Sequence, residues 1–121
     1  MFARDLHVFL AILTMLAVVV ATLEGTVRAL RGRPAGVAAA RTRTAVLFSV
    51  AMTSTAGVAL LISGRHPGEW LHLIYVALAF SLIPVADNAG TLLHSDRGKG
   101  LVRLGGGLVA LVVVTRLFAT G

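Results

Sequence analysis

Two histidines in a repeated pattern are the residues of this sequence best suited to chemistry. Leu6-His7 and Leu71-His72 stand 65 positions apart (7 to 72). Three further positions agree in the same register: Ala21 with Ala86, Gly25 with Gly90 and Thr26 with Thr91. Imidazole is a standard axial ligand of haem iron, and a histidine inside hydrocarbon is costly and tends to be paired or functional. The repeat predicts that the two imidazoles act as a pair.

Small side chains follow each histidine along one helical face. At about 100° per residue, positions seven, fourteen and eighteen residues later return to nearly the same face. They are Thr14, Ala21 and Gly25 after His7, and Ala79, Ala86 and Gly90 after His72. In a membrane such a stripe indicates either close packing between helices or a face against which something flat fits.

The composition identifies the medium in which these helices lie. The chain has 121 residues, of which 57% are hydrophobic and 13% charged, and its mean hydropathy is +0.90. Soluble domains carry about 25% charged residues, so a soluble fold, a disordered chain and a nucleic-acid-binding domain are excluded. The absence of cysteine excludes disulfides, iron–sulfur clusters and thiolate metal sites.

The apolar runs predict four membrane crossings. About 20 apolar residues span a bilayer as a helix, and the expected spans are residues 6–27, 44–63, 69–93 and 101–120. We therefore expect an all-α, transmembrane four-helix up-and-down bundle that forms a single domain over residues 1–121. The repeat further predicts a 2+2 arrangement: two halves of two helices each are related by a pseudo-twofold axis along the membrane normal, and helices one and three are equivalent.

Basic residues predict the orientation of these crossings. Eight lie in the first and third loops: Arg28, Arg31, Arg33, Arg41, Arg43, Arg97, Lys99 and Arg103. Three lie on the opposite side: Arg4, Arg65 and Arg116. We expect both termini to lie outside a prokaryotic plasma membrane, with the two basic loops in the cytoplasm.

The predicted arrangement places a candidate cofactor site near the outer surface. His7 and His72 lie at one depth on helices that are diagonal in an up-and-down bundle, so a haem iron between them would be bound by both. Haem propionates would then meet Arg4, Arg65 and Arg116. Two alternatives stay open: the histidines hydrogen-bond to headgroups or neighbouring carbonyls, and the arginines are ordinary interfacial anchors.

The cytoplasmic end carries the other candidate residues. Glu24 and Asp87 are the acidic residues closest to hydrocarbon, and we expect ion pairs with nearby Arg28, Arg103 or Lys99. A proton path or a quinone site is the alternative. His94 lacks a partner at the same depth in helix one, so we expect it to be solvated.

The two Leu-His pairs give the chain a resemblance to four-helix bis-histidine membrane haem proteins. One half of haem A synthase and the CopD-like copper-resistance and SirB-like membrane families are similar bundles that carry histidines. The resemblance covers the whole chain in architecture and His7 and His72 in motif. It implies a b-type haem and no particular reaction.

Three functions are compatible with these observations. The first is a small b-type haem-binding subunit that supports electron transfer in a larger energy-transducing membrane complex. The second is a cofactor-free accessory subunit of a respiratory or photosynthetic complex, and the third is a small four-helix transporter. In each case we expect lipid and other membrane subunits as partners, with quinone as a further candidate and no nucleic acid. The sequence contains no recognisable nucleophile–base pair, phosphate loop or hydrolytic metal site, so it leaves open whether the chain is an enzyme or only an electron-transfer subunit.

Overall fold

The chain forms four α-helices joined by short connections. A computed structural model describes residues 2–34, 36–66, 68 and 70–120. Within these ranges it describes the backbone but not the side chains at positions 83, 84, 86, 87, 90, 91, 118 and 120. The helices are α1 (Phe2–Arg31), α2 (Val37–Ile62), α3 (Leu71–Thr91) and α4 (Asp96–Thr120). The expected all-α four-helix bundle is confirmed.

Three of the helices extend beyond the apolar spans expected from the sequence. α1 continues to Arg31 because alanine and arginine favour helix, and it ends where Gly32 adopts a left-handed φ of 58° that glycine tolerates. α2 begins at Val37, seven residues before its apolar run. α4 begins at Asp96, where the N–H of Gly98 donates to the Ser95 hydroxyl at 3.0 Å in an N-terminal cap.

The packing follows the order of an up-and-down bundle but is uneven. α1 packs extensively against α2 and α4, and α3 packs against α4, whereas α2 and α3 touch sparsely. Within the described residues, α1 and α3 make no close backbone contact, as expected for diagonal helices. The apolar core consists of Val18, Val46, Val50 and Ala110.

Glycine brings α1 and α4 into close contact. A Cβ at Gly100 would lie 2.9 Å from the backbone of Ala29. A Cβ at Gly107 would overlap the side chain of Thr22. These two contacts define what we call the glycine seam. Close approach of this kind is how helices associate in membranes, where lipid is as apolar as the side chains.

The apolar surface of the bundle faces outward. Large residues such as Leu16, Phe48 and Val112 are exposed on α1, α2 and α4. By length and composition, three helices can cross a membrane, over Phe2–Arg31, Val37–Ile62 and Asp96–Leu117. The apolar stretch found in α3 is shorter, Leu71–Leu82. Such continuous exposure is untenable in water, which indicates an integral membrane protein.

Candidate functional site

His7 lies in the second turn of α1 with its ring against α2. Its Nδ1 is 3.1 Å from the backbone carbonyl oxygen of Thr53. The ring lies over Gly57, where an added Cβ would be 3.2 Å from Cε1 of His7. The absence of a side chain at Gly57 therefore makes room for the imidazole.

The hydrogen bond to Thr53 determines which ring nitrogen carries the proton. A carbonyl oxygen can only accept, so Nδ1 of His7 is the donor. In the neutral ring Nε2 is then left with its lone pair free. This is the tautomer that a metal-binding histidine has when a backbone carbonyl orients it.

Hydroxyl groups join α1 and α2 below the imidazole. Oγ1 of Thr14 and Oγ1 of Thr53 are 2.8 Å apart, and Thr14 also donates to the carbonyl of Leu10 at 2.9 Å. Thr14 is buried. These contacts satisfy polar groups inside the bundle and fix the position of α2 beside His7.

His72 faces His7 from the first turn of α3. The two ring centroids are 6.3 Å apart and the ring planes are tilted by 58°. The ring of His72 donates a hydrogen bond to the backbone carbonyl of Leu117 in α4. Each histidine is thus oriented by a carbonyl of the helix that follows it in the chain.

This geometry suits one kind of metal centre better than others. Among the described residues there is no group of three or more histidine, cysteine, aspartate or glutamate side chains that could hold a metal ion. A bare zinc site needs three or four protein ligands, whereas haem iron needs two axial ones. With metal–nitrogen bonds of about 2 Å, two imidazoles on one iron have ring centres about 6 Å apart.

The three arginines expected near the cofactor lie at the same end of the helices as the histidines. Arg4 is one turn before His7, Arg65 follows the end of α2, and Arg116 precedes Leu117. All three are exposed, and Arg116 has an interaction within the structure. Exposure at this end is compatible with propionate binding and with interfacial anchoring.

The expected ion pair of Glu24 is confirmed at the other end. Oε1 of Glu24 is 3.7 Å from Nε of Arg28, and Oε2 is 3.6 Å from Nε of Arg103. The side chain of Asp87 lies outside the described residues, so its expected ion pair stays a prediction. His94 is exposed, as expected for a solvated residue.

Several residues at these two sites were not expected from the sequence. Thr53 and Gly57 surround His7, and Arg103 donates to the carbonyl of Ala39 at 2.9 Å and to Thr42 Oγ1 at 3.1 Å. A backbone carbonyl is offered by every residue, so no sequence signal marks it as a partner. A glycine in α2 could have been noticed, but nothing local relates it to a histidine 50 positions away (7 to 57).

The fold and the paired imidazoles define the class as a helical membrane protein with a histidine pair at one end of its bundle. Comparison of the chain with protein-family models, with curated proteins and with solved structures finds no match. Its function must therefore be argued from its own residues.

Proposed function

We propose that this protein is a small integral-membrane subunit that binds a b-type haem and supports electron transfer within a larger energy-transducing complex. The observation that carries the proposal is the pair of imidazoles 6.3 Å apart, each oriented by a carbonyl of a different helix. His7 and His72 are the proposed axial ligands. Two ligands leave no open position on the iron, which favours electron transfer over binding of a further ligand.

The residues of the chain position the cofactor, while the haem supplies the one-electron chemistry. The Thr53 carbonyl accepts from Nδ1 of His7, so Nε2 is the nitrogen left to bind a metal, and Gly57 leaves room for the ring. Arg4, Arg65 and Arg116 are the proposed partners of the propionates, because charge-assisted hydrogen bonds to carboxylates need exposed cations at this end.

The finer topology belongs to the same proposal. α3 is the fourth crossing, both termini lie outside a prokaryotic plasma membrane, and helices one and three are related by a 2+2 pseudo-repeat. The matched hydrogen bonds of His7 to α2 and of His72 to α4 support the repeat. Partner subunits of the complex are proposed to dock the electron donor.

The visible spectrum of the protein purified in mild detergent tests the proposal. A reduced-minus-oxidised spectrum should contain a sharp α-band and an intense Soret band. His7→Ala and His72→Ala should each lose them, because either change removes an axial ligand, whereas His94→Ala should keep them. Retention of haem in both single variants would contradict the ligand assignment.

A cofactor-free accessory subunit is the second candidate. It is favoured by the hydrogen bonds that already satisfy one nitrogen of each imidazole. A flat spectrum after supplementation with haem would favour it. A transporter would use Glu24 for its substrate, but Glu24 contacts Arg28 and Arg103, and we do not extend the proposal to transport.

A further inference from the structure

Arg28 is a buried cation whose described contacts satisfy it poorly. The residue is 7% exposed, and its Nε has no hydrogen-bond partner among the described residues. The nearest carboxylate oxygen, Oε1 of Glu24, is 3.7 Å from Nε, beyond hydrogen-bonding distance. The Nε–H of Arg28 is therefore a buried donor that no described residue satisfies.

The carboxylate of Glu24 also contacts a second arginine, Arg103, which makes short hydrogen bonds of its own. Oε2 of Glu24 lies 3.6 Å from Nε of Arg103, and Arg103 also donates to the carbonyl of Ala39 and the hydroxyl of Thr42. Arg103 therefore bridges α4 and α2 through short hydrogen bonds. Among the described residues, Arg28 has the ion pair with Glu24 but no short hydrogen bond from Nε, and a buried donor without an acceptor is unfavourable.

The position of Arg28 along α1 bears on the kind of anion that it could bind. It directly follows Val27, the last residue of the apolar run, and Val27 is exposed on the surface of the bundle. Arg28 therefore lies where the apolar run of α1 ends, and in a helix that spans a bilayer this part lies close to the phosphates of the lipid headgroups. Exposed basic residues at the same end raise the local positive potential: Arg31, Arg33, Arg41, Arg43, Arg97 and Lys99.

We propose that Arg28 binds a phosphate group, supplied by the headgroup of an anionic phospholipid in the cytoplasmic leaflet. A planar guanidinium binds phosphate oxygens through paired hydrogen bonds. Basic sites between helices on the cytoplasmic side are a recognised place for such headgroups. The choice of leaflet rests on the proposed orientation, but the site itself is independent of the haem, which would be bound at the other end of the helices.

Thermal unfolding of the delipidated protein in detergent tests the site. A ligand that binds only the folded state raises the unfolding temperature. We expect phosphatidylglycerol to raise it more than phosphatidylcholine, whose choline cation offsets the phosphate charge. Arg28→Gln should weaken the apparent affinity for phosphatidylglycerol about tenfold, the loss expected when a charged hydrogen bond is removed.

Matched variants separate this site from general surface attraction. Arg31→Gln removes the same charge one turn away at an exposed position and should keep the wild-type response. Equal responses of wild type and Arg28→Gln would overturn the proposal. Inorganic phosphate alone is the third probe, and a rise that depends on Arg28 would support the anion site but assign free phosphate as its ligand.

Two further measurements keep the test decisive. If Arg28→Gln does not fold, Arg28→Lys replaces it in the test, because lysine keeps the positive charge but lacks the planar guanidinium with its paired donors. If phosphatidylglycerol raised the unfolding temperature of Arg28→Lys as much as that of wild type, binding through the paired donors of the guanidinium would be contradicted. The haem spectrum of a folded Arg28 variant should equal that of wild type, so failure of one proposal can be told from failure of the other.

Discussion

His7 is positioned by two contacts that depend on different features of α2. Its hydrogen bond ends on the backbone carbonyl of Thr53, which any residue at that position would provide. Its ring lies 3.2 Å from the position of a Cβ at Gly57, so an alanine there would force the ring to move by a few tenths of an ångström. Replacement of Thr53 should therefore keep the carbonyl that accepts from His7 and affect the ring only through the lost contact with Thr14, whereas Gly57→Ala acts on the ring directly.

Glu24 is the residue whose replacement should cost the most stability at the end of the bundle away from the histidines. It is 18% exposed and contacts both Arg28 and Arg103. Glu24→Gln keeps the shape but removes the negative charge that both guanidinium groups share. We expect a loss of about 3 kcal/mol in the free energy of unfolding, since breaking a buried pair leaves uncompensated charge. Reversible denaturation in mixed micelles measures it.

Asp5→Asn is the matched control for this prediction. Asp5 is exposed in the first turn of α1, where a carboxylate interacts with the helix dipole. Its loss should cost less than about 1 kcal/mol. Equal losses in the Glu24 and Asp5 variants would show that the contacts of Glu24 with the two arginines add no stability.

At the scale of the helices, the glycine seam determines how closely α1 and α4 approach. Gly100→Ala would place a Cβ 2.9 Å from the backbone of Ala29. Backbone atoms cannot turn aside as a flexible side chain can, so the helices must separate. We expect a destabilisation of about 1–3 kcal/mol, the usual cost of overpacking, measured as a lower unfolding midpoint.

Gly105→Ala is the control within the same helix. A Cβ there would meet no atom within 4 Å, and alanine is favoured over glycine inside a helix by about 0.5–1 kcal/mol. This variant should be as stable as wild type or slightly more stable. A loss of stability equal to that of Gly100→Ala would mean that the close approach of Gly100 to Ala29 is not the cause of the loss.

At the scale of the whole molecule, the distribution of charge predicts how the bundle lies in the membrane. The natural chain has no cysteine, so single cysteines can be labelled without background. Ser63, after α2, and His94, between α3 and α4, are both exposed. A membrane-impermeant maleimide should label Ser63→Cys in intact cells but label His94→Cys only after permeabilisation, because basic loops remain in the cytoplasm.

The same pair of variants tests the fourth crossing. If α3 crosses the membrane, positions 63 and 94 lie on opposite sides. Labelling of both variants from one side would mean that α3 lies along the membrane surface, or enters the membrane and returns to the same side. Labelling of His94→Cys alone in intact cells would instead reverse the orientation and place both termini inside.

Local hydrophobicity was enough to predict the helices and the medium around them. The apolar runs indicated four helices because backbone groups in hydrocarbon must be satisfied within each segment. The small residues after each histidine indicated the inward face, and Thr14, Gly25 and Ala79 are buried. Glu24 was expected beside Arg28 or Arg103 because charges near hydrocarbon seek partners, and it contacts both.

The sequence by itself therefore determined the four helices and the membrane as their solvent. Only the tertiary structure decided which α2 residues surround His7, that Gly100 meets Ala29, and that α2 and α3 touch sparsely. The physical reason is that membrane helices are apolar on nearly every face, so no polar stripe marks the packed side. Their contacts depend instead on the fit of small side chains and backbone atoms from distant segments.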